Sequence, residues 1–272
     1  MQKNKIYIFI LLVALGVSSC SEYQKALNKG TSEEQYQIAV KMYDQQKYTK
    51  AIQMFEKITP SYKGKPQMER IQYMISQAHY NTKQYSLAAY YFDKFVKSYP
   101  KSSKVEEAAY LSAYSYYLAS PIYSLDQKDT REAITALQNF IYKFPDSDKI
   151  PDANKSLKEL TYKLEKKSFE IAKQYYHTQD YAAAMVAFDN LLSDYLGTSF
   201  KEEAMYLKFK SAYHMGAESI LSKKEERINE ALKVYQRFER SFPNSKYLEE
   251  TKDMVSELKD ELNAVTVIKT QN

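Results

Sequence analysis

The stretch Ala88–Ala108, AAYYFDKFVKSYPKSSKVEEA, decides the fold, because its pattern recurs along the chain. Related segments are AIQMFEKITPSY (51–62), AITALQNFIYKFP (133–145), AMVAFDNLLSDYL (184–196) and ALKVYQRFERSFP (231–243). Each opens on an alanine: Ala51, Ala88, Ala133, Ala184 and Ala231. Four residues on stands Phe55, Phe92, Leu137, Phe188 or Tyr235, and seven on stands Ile58, Phe95, Phe140, Leu191 or Phe238. Eleven on comes an aromatic: Tyr62, Tyr99, Phe144, Tyr195 or Phe242. Offsets of four, seven and eleven fall on one face of a helix with 3.6 residues per turn. The alanine admits a neighbouring helix closely, and the larger side chains fill the space between.

The punctuation repeats with the ridge. Pro100, Pro145 and Pro243 follow three of the aromatics and stop a helix, since proline lacks the amide donor and disfavours helix in the residue before it. Ser102, Ser147, Thr198 and Ser245 lie three residues past the aromatic, where a hydroxyl is expected to cap the next helix, with acids early in that helix at its positive end. Tyr48, Tyr85 and Tyr181 precede their alanines by three. Each repeat therefore reads as helix A, turn, helix B, stop. Equivalent aromatics are 37 to 51 residues apart, more than the roughly 34 of an uninterrupted tetratricopeptide unit. The excess lies in insertions at 118–132 and 216–228 and in a long breaker-free helix at about 153–177. The expected fold is all-α, an α-solenoid of five tetratricopeptide-like helix pairs over 33–262, with repeats at 33–65, 66–101, 102–146, 147–197 and 198–262. Residues 263–272, NAVTVIKTQN, lack the helical period and are expected as a tail.

The amino terminus carries a different signal. Lys3 and Lys5 precede an apolar run from Ile6 to Val17, about twelve residues, whereas a bilayer-spanning helix needs roughly twenty. Ser18 and Ser19 then lead to Cys20, the only cysteine. This order is that of a secretory signal peptide, here 1–19. It resembles a bacterial lipobox with Val17 in place of the usual Leu, which implies acylation of Cys20 and anchoring through several acyl chains, followed by a tether over 20–32. Nothing nearby activates Cys20 as a nucleophile.

Composition excludes several classes. Loss of Lys3 and Lys5 with residues 1–19 lowers the formal charge from +5 to +3, too mild for a nucleic-acid binder. Without a second thiol no disulfide forms. Only 5 Gly are present, so a phosphate-cradling glycine loop is not expected. His79, His177 and His214 belong to different repeats and to no ligand-spaced cluster, and His79 falls at a core-type position. No nucleophile elbow or paired-carboxylate arrangement appears, so no enzyme activity, metal or cofactor is expected.

The order of lipobox cysteine, tether, five tetratricopeptide-like repeats and a long helix opening the fourth resembles the BamD family, the lipoprotein subunits of outer-membrane β-barrel assembly machines. SLKELTYKLEKKSFEIAKQYYHTQDYAAAMVAF (156–188) is similar to that family's helix joining the third and fourth units. SPIYSLDQKDTREAITALQNFIYKFPDS (120–147) resembles the third unit of Bacteroidota-type members. YKGKP (62–66) keeps only part of the family's Pro- and Gly-containing turn. The resemblance implies a lipid-anchored protein on the periplasmic face of the outer membrane, binding BamA through its C-terminal repeats and unfolded outer-membrane proteins through its N-terminal ones. The single acid in SEYQK after Cys20 favours the periplasmic side over surface export. Other tetratricopeptide envelope lipoproteins, such as cell-division or peptidoglycan coordinators, share the repeat pattern. A SusD-like glycan binder is disfavoured by the absence of Trp.

Helix A of each repeat is expected to line the binding side. Its peptide-facing set is Tyr36 and Tyr43, Tyr73, Tyr80 and Asn81, and Tyr116 and Tyr117, with Tyr43, Tyr80 and Tyr116 taken as equivalent. Tyrosine offers apolar area and a hydroxyl at low entropy cost, which suits an aromatic-rich extended peptide. Phe169, Lys173, Tyr176 and His177 are the expected partner-binding residues of the fourth repeat.

Overall fold

The computed structural model describes residues 22–271, with side chains to 268; the expected signal peptide 1–19 and Cys20 lie outside that range. The described residues are helices joined by turns, with no strand among them. They form two compact units. The first holds the described residues up to Pro121 together with Gln127–Lys158, and the second holds Ile122–Asp126 with the residues from Glu159 onward.

Unit 1 contains α1 (22–29), α2 (Ser32–Asp44), α3 (Tyr48–Tyr62), α4 (Gln67–Asn81), α5 (Tyr85–Ser98), α6 (Val105–Ala119), α7 (Lys128–Lys143) and the start of α8 (Ile150–His177). Unit 2 contains the rest of α8, then α9 (Tyr181–Asp194), α10 (Lys201–Ala217), α11 (Leu221–Ser241) and α12 (Leu248–Gln271). Successive helices pack on one another from α2 to α7 and from α9 to α12, so each unit is a stack of helix pairs. Among the described residues no helix is long and apolar enough to cross a membrane.

The repeated ridge is the core. All five alanines, Ala51, Ala88, Ala133, Ala184 and Ala231, have 0% exposure. Phe55, Phe92, Leu137 and Phe188 at offset four are equally closed off, as are Phe95 and Phe238 at offset seven. Burying one such side chain contributes about 1.5–3 kcal/mol. The offset-eleven aromatics Tyr99, Phe144, Tyr195 and Phe242 are the C-cap residues of their helices, with φ between −137° and −129° and ψ between 62° and 73°. Nine residues past each offset-eleven aromatic sits a sealed residue of the next helix A: Ile71, Ala108, Ala153, Ala204 or Thr251.

Turns repeat as closely. α2, α4 and α8 end in Schellman motifs, in which the amide two residues past the C-cap reaches back five positions: Lys47 to Met42 O (2.8 Å), Gln84 to His79 O (2.9 Å) and Asp180 to Tyr175 O (3.0 Å). Such a motif needs a left-handed residue, and Gln46, Lys83 and Gln179 supply it at φ 57°, 59° and 60°. Across each turn a helix-A tyrosine meets the first tyrosine of helix B. The pairs are Tyr43–Tyr48 (5.5 Å between centroids), Tyr80–Tyr85 (5.9 Å) and Tyr176–Tyr181 (5.9 Å).

Three expectations change. The hydroxyls of Ser102, Ser147, Thr198 and Ser245 do not cap helices. Each accepts instead from the amide two residues on, at 3.0–3.2 Å, and closes the turn that precedes the helix. Helix starts at Val105, Ile150, Lys201 and Leu248, two residues later than a cap at the hydroxyl requires. Residues 263–271 are no tail: α12 continues through Gln271, with Val265 buried as the next member of the stripe Val255–Leu258–Leu262. The tether expected over 20–32 is helical over 22–29, and its Tyr23 is part of the core. The insertion at 216–228 is largely taken up as extra turns of α11.

Candidate peptide-binding face

In unit 1 the helix-A residues of three successive pairs form one connected face. Tyr43 on α2 donates to Gln77 Oε1 (3.2 Å) on α4, and Gln77 Nε2 donates to the Tyr73 hydroxyl (2.8 Å). Burial, then the Glu107 carboxylate of α6, push the Tyr73 hydroxyl well above the ordinary tyrosine range. Lys104 closes the chain, donating to Glu107 Oε2 (2.9 Å) with its ammonium 5.6 Å from the Tyr73 ring centre. This run of contacts crosses α2, α4 and α6, fixing their register.

Beside it lies an aromatic surface. Tyr110 stacks on Tyr114 (5.6 Å, 15°) and Tyr114 on Tyr117 (5.3 Å, 24°) along α6. Burial, then Asp152 and Tyr114, push the Tyr110 hydroxyl up to about 12. Tyr80 is raised by burial and then by the neighbouring Tyr114 and Tyr85 hydroxyls. All of these rings are half-buried. A cleft of about 440 Å³ opens between Tyr43 and Tyr73, with buried Met74 and Phe95 also lining it, and Arg70 and Lys104 among its lining side chains. Arg70 is exposed and makes no hydrogen bond or ion pair, while Glu69 in the same cleft is held by the Ser102 hydroxyl at 2.6 Å. Aromatic walls, an apolar base and a free guanidinium suit an aromatic side chain next to a carboxylate.

The expected residues divide. Tyr43, Tyr73, Tyr80 and Tyr117 lie on this face, and Asn81 is exposed at the end of α4. Tyr36 does not serve it: at 7% exposure it packs on Phe55 and Tyr62 in the core. Tyr116 points the other way, lining a pocket between α5 and α7 with Asp93, Asn139 and Lys143. The reason is angular. One residue turns a helix by about 100°, so Tyr117, and not Tyr116, is equivalent to Tyr80. Tyr110 and Tyr114 were missed; counting eleven and eighteen residues forward from the preceding offset-eleven aromatic finds Tyr73 and Tyr80 after Tyr62, and Tyr110 and Tyr117 after Tyr99.

In unit 2, Phe169 is a core residue at 2% exposure, stacked on Phe200 at 4.7 Å and 6.2 Å from Phe188. It occupies the position of Tyr36 and Tyr73, fifteen residues before its alanine, and is not accessible to a partner. Lys173 is engaged with Glu203 at 2.9 Å. Tyr176 and the exposed His177 sit edge-on, and His214 stacks on Tyr181 (4.7 Å, 9°) beside them. This aromatic corner joins α8, α9 and α10. No group of His, Cys, Asp and Glu able to hold a metal occurs among the described residues.

The family model described as YfiO, outer membrane lipoprotein, matches residues 28–228 and, in a second overlapping match, 163–270. Among solved structures, the TPR2AB-domain:pHSP90-complex of yeast Sti1 is similar at 14% identity, with 88% of this chain and 95% of that chain covered and a TM-score of 0.37. No curated protein matches significantly.

Proposed function

The chain belongs to the YfiO family of outer membrane lipoproteins, the family of BamD, and on that premise we propose that it is a lipid-anchored scaffold of the β-barrel assembly machinery. In this reading it is held by acyl chains on Cys20 at the periplasmic face of the outer membrane and has no reaction of its own. Unit 1 receives unfolded outer-membrane proteins as extended, aromatic-rich peptides. Unit 2 docks the barrel-forming BamA subunit through the exposed part of the Tyr176–His177 corner.

The observation that carries the substrate half is the tyrosine face of unit 1, with the unpaired Arg70 in the cleft between Tyr43 and Tyr73. A peptide ending in an aromatic residue would place its ring among the tyrosines and its terminal carboxylate on Arg70 and Lys104. The test is binding of such a peptide to the mature chain, measured beside its C-terminally amidated form. Tyr43→Ala with Tyr80→Ala, and separately Arg70→Gln, weaken binding while the far-UV spectrum stays helical; unchanged affinities remove this face from the site. For the machinery, detergent-solubilised membranes should yield BamA with the tagged chain, and depletion should lower assembled barrels. Barrel levels that stay constant on depletion end the proposal.

A further inference from the structure

The helix nearest the expected anchor is fixed to the fold. Tyr23 of α1 is 4% exposed, and its hydroxyl donates to Gln53 Oε1 at 2.7 Å. Gln35 Nε2 donates to the carbonyls of Ala26 (3.0 Å) and Leu27 (3.3 Å), closing the end of α1. Gly30 then turns the chain back, where a Cβ would lie 2.6 Å from the Ala26 carbonyl oxygen. In sequence, only Ser21 and Glu22 separate Cys20 from Tyr23. Three extended residues reach at most about 11 Å. An acyl group on Cys20 therefore holds this end of unit 1 at the headgroups, with no slack to turn away.

That end carries unopposed positive charge. Lys25 and Lys29 are exposed on α1 and pair with no carboxylate. The acids beside them are already engaged: Glu22 with Lys41 at 2.6 Å, and Glu34 in the capping box with Thr31. From α3, the Lys50 ammonium lies 5.2 Å from the Tyr23 ring centre and Lys57 donates to the Leu27 carbonyl. Neither has a carboxylate partner. We propose that α1 with Lys25, Lys29, Lys50 and Lys57 is a membrane-facing surface that binds anionic phospholipid headgroups. This rests on the lipoprotein half of the proposed function and not on its partners. Short reach and charge complementarity act together: the acyl chains bring the surface to the bilayer, and the lysines fix which face of unit 1 looks at it.

The test uses the mature chain from residue 20 with Cys20→Ala, so that no acyl chain masks the headgroup effect. Co-sedimentation is measured with vesicles of phosphatidylcholine alone and of equimolar phosphatidylcholine and phosphatidylglycerol. The chain is expected to sediment with the anionic vesicles only, and to be released by high salt. Lys25→Gln and Lys29→Gln each lower the partition about fivefold, the effect of one lysine at an anionic surface. Lys252→Gln with Lys259→Gln, exposed lysines of α12, leaves it unchanged. Equal sedimentation with both vesicle types, or equal loss in the α12 pair, overturns the proposal. BamA capture is read separately, so failure of one result does not carry the other with it.

Discussion

Among the described residues three turns hold a left-handed residue that is not glycine, and they give the sharpest test of the fold. Lys83 has φ 59° at the end of α4, is exposed, and makes no side-chain hydrogen bond. A side chain with a Cβ in that conformation costs about 1–2 kcal/mol. Glycine removes the cost but widens the unfolded ensemble, which takes back about 0.5–1 kcal/mol. Lys83→Gly therefore stabilises unit 1 by about 0.5–1 kcal/mol, raising its melting midpoint by about 2–4 °C for a domain of this size. Lys83→Ala removes the same charge and most of the same side chain but keeps the Cβ, and is expected to be neutral. Gln45→Gly, at φ −79° two turns earlier in the chain, is expected to destabilise by about 0.5–1 kcal/mol. Urea unfolding followed by far-UV circular dichroism distinguishes the three. Gln46→Gly should behave as Lys83→Gly does, and Gln179→Gly should shift the transition of unit 2 instead. If Lys83→Gly and Lys83→Ala move stability alike, the repeated Schellman turn is not what sets the chain direction here.

Further outcomes concern unit 2 and the tyrosine face. Lys210, then Tyr206, hold the Glu250 carboxyl below the usual carboxylate range. A depressed acid stabilises the fold above its unfolded pKa of about 4.3 and loses that contribution as pH falls below it. Glu250→Gln should therefore lower stability at neutral pH and flatten the acid limb of a stability–pH series; parallel limbs for variant and parent would refute the coupling. Phe169→Ala should cost about 3–5 kcal/mol in urea unfolding, as for other closed core positions. Phe169→Leu should keep BamA capture, and its selective loss in a stable Leu variant would return Phe169 to the binding surface. Tyr73→Phe removes a hydroxyl bonded within the fold and should cost about 1 kcal/mol of stability. Tyr80→Phe should leave stability unchanged and weaken only peptide binding, measured by titration of the same peptide.

Much of this was legible in the sequence because it depends on period. The alanine ridge fixes which face of each helix B is buried, and steric closeness admits no larger residue there, so five copies suffice to place the core. Counting back from the alanine also located Tyr43, Tyr80 and Tyr176, since the turn between helices A and B has one length in those pairs. It failed in the third pair, where residues 120–127 lengthen the turn and Tyr117 stands sixteen residues before Ala133 instead of eight. Phe169 was misread for another reason: its position is buried in the first pair and half-buried in the second, so exposure depends on the neighbouring pair and not on the helix's own pattern. The last turns of α12 carry apolar Val267 and Ile268 off the buried stripe, where both are exposed, and Val265 alone extends it, so the periodic signal fades before the helix does.

Tyr73 and Tyr206 have a structural role that bears on where ligand can bind. A helix-A side chain of one pair repeatedly meets an acid eight residues past the offset-eleven aromatic, on the next helix A. Tyr73 faces Glu107, Lys173 bonds Glu203 at 2.9 Å, and Tyr206 donates to Glu250 at 2.7 Å while its ring stacks on Tyr247 at 3.9 Å. Tyrosine fits this position because its ring packs between pairs while its hydroxyl reaches the wet edge to find an acceptor. A tyrosine used in this way is spent on holding two pairs in register, and moving it to meet a peptide would leave the acid without its donor. The rings open to a ligand are those outside this arrangement, whose hydroxyls have no acceptor of their own. Tyr80 and Tyr114 meet that condition in unit 1, neighbours across α4 and α6, so a peptide seated with its end in the Arg70 cleft would run its other side chains over them.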